Sequence, residues 1–245
     1  MSKYHYERDY SDDSLRWIRK ISERMQSNPF SKAEGEYRPE DLEKLQNEII
    51  AAKDSALAYF FTTEFNYKPH KMQKTILDNK DAKYAFLFAQ DIPNADIRAL
   101  QKVVVGSGKI KYIYKFACFV KGADRRKLQA IILKSKNVKG AHTLLKNVEG
   151  TKVEKFKDII LASGRPRYLY ELAKHLDDPE EIARIEDLII EAGSFMYIRL
   201  FADRIKQANI EKLEQAVLDS DNVEQIKKFA KYVKSSKMKR FFLVL

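Results

Sequence analysis

Lys83, Lys111, Lys139 and Arg167 recur at intervals of 28 residues, and three of the four are followed by tyrosine: Tyr84, Tyr112 and Tyr168, with Gly140 in the remaining place. Long cations at one periodic position, each beside an aromatic ring, suit a polyanion. Ammonium and guanidinium groups neutralise phosphates and release counterions, and ring faces stack on unpaired bases. Lys109, Arg125, Arg126, Lys127, Lys136 and Arg165 lie in the same stretch and would widen such a track. The same residues have a second reading, in which the tyrosines are packing rungs between repeats and the Lys and Arg stems cover apolar grooves.

Other constellations carry less chemistry. Gly106-Ser107-Gly108-Lys109 lacks the Gly-x4-Gly-Lys-[Ser/Thr] spacing of a phosphate loop and follows a helical rather than a strand-like run, so it reads as a helix stop. His5, His70, His142 and His175 are scattered, and Glu171 with His175 is the single i, i+4 pair that could share a metal. Asp177-Asp178 with Glu180-Glu181 reads as the acidic, capped start of a helix. Cys118 has no His or Asp placed to activate it, and the only Trp, Trp17, lies before the repeats, where it cannot serve a basic groove of the DNA-glycosylase kind. These patterns predict no enzyme, no cofactor and no metal site.

The elements that must position the cations follow from self-similarity. Segments beginning Ala82-Lys83-Tyr84, Ile110-Lys111-Tyr112, Val138-Lys139-Gly140, Pro166-Arg167-Tyr168, Phe195-Met196-Tyr197 and Val223-Glu224-Gln225 align at spacings of 28 or 29. In each, an apolar pair such as Phe116-Ala117 and a later Val120 make the stripe of one helix, and Leu128 with Ile131-Ile132 that of a second. Breakers such as Pro93-Asn94-Ala95-Asp96 divide the two helices, while Ser107-Gly108, Ser163-Gly164 and Ala192-Gly193-Ser194 divide the units. Ser55 to Asp81 is a degenerate unit, and Glu43-Lys44-Leu45 to Ile49-Ile50 resembles the second helix of one. A hairpin this small cannot bury its own apolar face, so neighbours must cover one another. The expected fold is all-α, an α-solenoid of stacked two-helix repeats over residues 39–245. It is preceded by an arm, residues 1–38, with an amphipathic helix from Ser14 to Gln26 and a linker.

Tyr112-Ile113-Tyr114-Lys115-Phe116-Ala117, running on to Val120-Lys121-Gly122-Ala123-Asp124, and Tyr84-Ala85-Phe86 with Phe88-Ala89, resemble the tandem helical repeats of uncharacterised proteins from large bacteriophages and giant viruses. The resemblance spans roughly Ala82 to the C-terminus. It implies a viral or bacteriophage scaffold without a particular chemistry.

Charge is segregated along this frame. Of 245 residues, 46 are Lys or Arg and 35 Asp or Glu, a net +11. Residues 82–165 hold 18 basic and 6 acidic side chains, whereas residues 166–222 hold 7 and 13. A basic block beside an acidic one favours a polyanion at one place and repels it at the other. The rungs open the first helix of each unit, where a cation opposes the macrodipole. Helices stacked roughly 8–10 Å apart would turn four rungs into a track about 25–30 Å long. Without a helix-turn-helix, zinc-finger or RNA-recognition signature, the expected ligand is RNA or single-stranded DNA bound with weak sequence preference.

Cys118-Phe119 replaces polar pairs such as Gln90-Asp91 and Lys146-Asn147, and is read either as an exposed patch for a protein partner or as a pair buried by a neighbouring loop. An acidic or host protein docked on the repeats is the alternative function. One Cys and no apolar leader predict a reducing cytoplasm, and no run is long enough to span a membrane. The terminal Phe241-Phe242-Leu243-Val244-Leu245 predicts a sticky edge that could pair two copies.

Overall fold

A computed structural model of the chain describes residues 39–148 and 151–233. Among these there are fourteen α-helices and no strand. They are α1 (Pro39–Ala52), α2 (Ser55–Phe65), α3 (Pro69–Asn79), α4 (Ala82–Asp91), α5 (Ile97–Gly106), α6 (Ile110–Phe119), α7 (Arg125–Ser135), α8 (Val138–Asn147), α9 (Val153–Leu161), α10 (Pro166–Ala173), α11 (Pro179–Glu191), α12 (Phe195–Arg204), α13 (Ile210–Leu218) and α14 (Val223–Tyr232). The six aligned segments begin at the first residues of α4, α6, α8, α10, α12 and α14, and the first five units each hold two helices as the spacing predicts; the second helix read in the sixth lies outside the described residues.

The chain divides into two compact units, Met1–Leu128 and Gln129–Leu245. In the first, every helix from α1 to α6 packs on the next, and α1 on α3, α2 on α4, α3 on α5 and α4 on α6. The second repeats the scheme from α8 to α14, with α8 on α10, α10 on α12, α11 on α13 and α12 on α14. Contact with the next helix and the next but one is what stacked hairpins in two layers require, because each apolar stripe is covered by the following repeat. The fold is therefore an all-α stack of helical repeats. The amphipathic helix read in Ser14 to Gln26 and the terminal Phe241 to Leu245 lie outside the described residues.

The apolar stripes are the core. Phe88, Phe116, Leu144, Leu172, Phe201 and Phe229, one per first helix, are buried, as are Leu100, Leu128, Phe156, Ile185 and Leu213 in the second helices. Burying each such side chain contributes about 1.5–3 kcal/mol. The adjoining Val103, Ile131, Ile159 and Leu188 are only half-buried, since they lie at the margin of the stripe rather than on its centre line.

Helix ends follow local chemistry. Asp54 and Asp81 cap α2 and α4 by accepting from two first-turn N–H groups each, and Asn137, Asp178 and Asn209 cap α8, α11 and α13. Between units the chain needs one left-handed residue: Lys53, Lys80, Gly108, Lys136, Gly164, Gly193 and Asp221 fall at that place with φ between 49° and 65°. Gly106-Ser107-Gly108-Lys109 is such a junction, a helix stop as read from its spacing.

Candidate nucleic-acid interface

The first helices of the repeats differ at their N-caps. Asp81, Asn137 and Asn222 present side-chain acceptors to α4, α8 and α14. At α6 and α10 the same place is taken by Lys109 and Arg165, which make no side-chain cap. Two residues on stand Lys111 and Arg167, so each helix opens on a pair of cations beside first-turn amides that lack a side-chain acceptor. Both choices oppose helix stability, the missing cap by about 1 kcal/mol and the misplaced charge by about 0.3–1 kcal/mol.

Lys109, Lys111, Lys136, Lys139, Arg165 and Arg167 are exposed, and Lys83 is half-buried. In the first unit Lys83, Lys109 and Lys111 are at the starts of α4 and α6, two helices packed on each other. In the second unit Lys136, Lys139, Arg165 and Arg167 stand at the starts of α8 and α10, likewise packed together. Arg125, Arg126 and Lys127 are exposed but open α7, the second helix of its hairpin, and the Arg125 Nε donates to the Ala117 carbonyl at the far end of α6 (3.3 Å). Six residues of helix, about 9 Å, separate Ala117 from Lys111. Arg125 is thus tied to the end of α6 opposite Lys111.

Some cations of the chain are held in ion pairs. Lys68 and Lys71 share Glu43, Lys157 joins Glu154 and Glu181, Lys212 meets Asp187 at 2.5 Å and Lys228 meets Glu224 at 2.5 Å. Among the described residues no carboxylate is in ion-pair distance of Lys109, Lys111, Lys136, Lys139, Arg165 or Arg167.

The tyrosines are packed between helices. Tyr84 meets Tyr59 (ring centroids 6.0 Å apart) and Phe60 (6.3 Å), Tyr112 meets Phe86 (6.5 Å) and Tyr168 meets His142 (5.0 Å). All three are half-buried. The Nζ of Lys83 is 5.1 Å from the Tyr84 centroid and that of Lys111 5.7 Å from the Tyr112 centroid. Burial, with the Asp81 carboxylate adding to it, raises the Tyr112 phenol above its ordinary value.

Cys118 corrects one expectation. It is buried and Phe119 half-buried, so the pair forms no exposed apolar patch, in keeping with the reading of a buried pair. Burial pushes the thiol up to about 12, against a smaller pull from Arg125, which keeps it protonated at neutral pH.

Two further sets of residues escaped the sequence reading. Gln73 Oε1 accepts from the Asp96 N–H (2.9 Å), Gln101 Oε1 from Asp124 (2.8 Å) and Glu186 Oε2 from Asn209 (2.9 Å), each tying one second helix to the N-cap of the next. Lys157, at the same repeat position, reaches Glu181 instead. The signal was present as Gln46, Gln73, Gln101 and Gln129 at spacings of 27 and 28. Ser107, Ser135, Ser163 and Ser220 likewise donate to a carbonyl three residues back, and their Oγ accepts from the N-cap N–H of the next helix, as in Ser107 with Val104 and Lys109.

Among the described residues no group of three or more His, Cys, Asp or Glu is placed to hold a metal ion, and no helix is long and apolar enough to cross a membrane. Comparison with protein-family models, curated proteins and solved structures finds no match for this chain.

Proposed function

We propose that this chain is a non-enzymatic nucleic-acid-binding repeat protein, with RNA or single-stranded DNA as its preferred ligand in a reducing, cytoplasmic setting. The observation that carries the reading is made in each unit by itself: exposed cations with no carboxylate of the described residues in ion-pair distance stand at the opening of α6 in the first and at the openings of α8 and α10 in the second, where helix stability favours acceptors and not cations. Net charge alone does not demand that arrangement, because cations at a helix N-terminus oppose its dipole wherever the excess charge is placed. A flexible single strand supports it further: its phosphates adjust to the roughly 8–10 Å between packed helices, whereas a rigid duplex presents a fixed spacing.

The test is fluorescence anisotropy with labelled single-stranded RNA, single-stranded DNA and duplex DNA. It compares the wild type with a variant carrying Lys83→Glu, Lys111→Glu, Lys139→Glu and Arg167→Glu, after circular dichroism shows both folded. Salt-sensitive binding that disappears in the variant is expected. Absence of binding at low salt would refute the reading and turn the search to an acidic protein partner.

A further inference from the structure

The cation row and the aromatic row part company along the chain. At the position of Lys83, Lys111, Lys139 and Arg167 the next two repeats carry Met196 and Glu224, so the cation row ends after Arg167. The aromatic position does not stop there. Tyr197 follows Met196, and its ring packs on Tyr170 with centroids 6.1 Å apart, the same contact between consecutive first helices that Tyr112 makes with Phe86 and Tyr168 with His142. In the other direction Tyr84 packs on Tyr59 and Phe60 of the degenerate repeat. The aromatic ring therefore recurs at Tyr197, one repeat beyond the last cation of the row.

Resting on the proposed function above, we infer that the basic face holds nucleic acid by its sugar-phosphate backbone alone and does not stack its bases. The rings that would receive bases are half-buried between helices, and in the first unit lysine ammonium groups lie over Tyr84 and Tyr112. The repeat from α8 carries Gly140 in place of the tyrosine, buried and engaged by the Asn137 side chain, yet keeps its cation Lys139 exposed. A stacking platform would lose a step there; a phosphate track loses nothing. The ligand class is accordingly any flexible phosphodiester strand, read without regard to its bases.

The experiment compares a labelled single-stranded DNA with a strand of equal length and phosphate number in which every base is replaced by an abasic spacer, titrated with the full chain at several salt concentrations. Each stacked base would favour the normal strand at least about fivefold. The expected result is affinities within about threefold of each other and equal salt slopes, with both strands losing binding alike in the Lys111→Glu, Arg167→Glu variant. Tighter binding of the normal strand by about fivefold or more would overturn base-independence while leaving the nucleic-acid reading in place. Failure of both strands to bind would overturn that reading and this inference with it.

Discussion

Lys109 and Arg165 occupy N-cap positions that their neighbours fill with Asp81 and Asn137, and a residue kept at the expense of stability calls for another role. Lys109→Asp supplies an acceptor to the first-turn amides of α6 and a favourable charge for its dipole, so urea denaturation should show a gain of about 1 kcal/mol. Anisotropy should show the same variant binding nucleic acid more weakly. A change that raised stability and left affinity untouched would mean Lys109 faces no phosphate. His142 governs a different property. Burial favours its neutral imidazole and, together with Arg167, Lys146 and His175, outweighs Glu171, so its pKa lies below the ordinary 6.5. The unfolded chain then takes up the proton first. The stability linked to this group is complete above about pH 6.5 and falls as pH drops toward the lower folded value. Thermal melts at pH 7.5 and 5.5 should show a larger loss for the wild type than for His142→Gln.

Hairpins are joined by one left-handed residue, with a serine motif at Ser107, Ser135, Ser163 and Ser220 and a polar side chain reaching to the next second helix from Gln73, Gln101 and Glu186. Gly164 isolates the backbone part of that junction. Its φ is 59° and a Cβ placed there would meet nothing within 4 Å, so a substitution suffers from conformation and not from crowding. Gly164→Ala should cost about 1 kcal/mol, measured by denaturant unfolding. No loss would imply that the junction relaxes out of the left-handed region. The lysines at the same place, Lys53, Lys80 and Lys136, bear that strain already. At Gln101 and Glu186 an uncharged and a charged acceptor do the same task. The charged one is the costlier: desolvation raises the Glu186 pKa against the opposing hydrogen bond from Asn209 and the nearby Lys212.

Across the whole chain the charge is divided into blocks, and the block with 18 basic and 6 acidic side chains holds Lys83, Lys109, Lys111, Lys139 and Arg165, with Arg167 just beyond its end. If four of them each neutralise one phosphate of a single strand, the logarithm of affinity should fall with the logarithm of salt at a slope of about −3. Titrations across a salt series check this, and the fourfold glutamate variant should flatten the slope. A slope near zero in the wild type would mean the basic block is not the binding surface.

Much of the fold was legible before any coordinates. Period-28 self-similarity placed the starts of α4, α6, α8, α10, α12 and α14 at their observed residues, and the centres of the stripes, Phe116 and Leu128 among them, are buried. These are local properties: helical periodicity, caps and a left-handed stop act within a few residues, and repetition shows them several times over. Tertiary structure decided what depends on partners a repeat or more away. The Tyr112 ring meets Phe86, 26 residues earlier, and Gln101 reaches Asp124, 23 residues later. Cys118 is covered although its sequence neighbours suggested exposure. Whether a lysine is neutralised, as Lys157 is by Glu181, or has no carboxylate of the described residues in ion-pair distance, as Lys111, depends on which charge the stacking of helices brings beside it, and the order of residues alone does not state that distance.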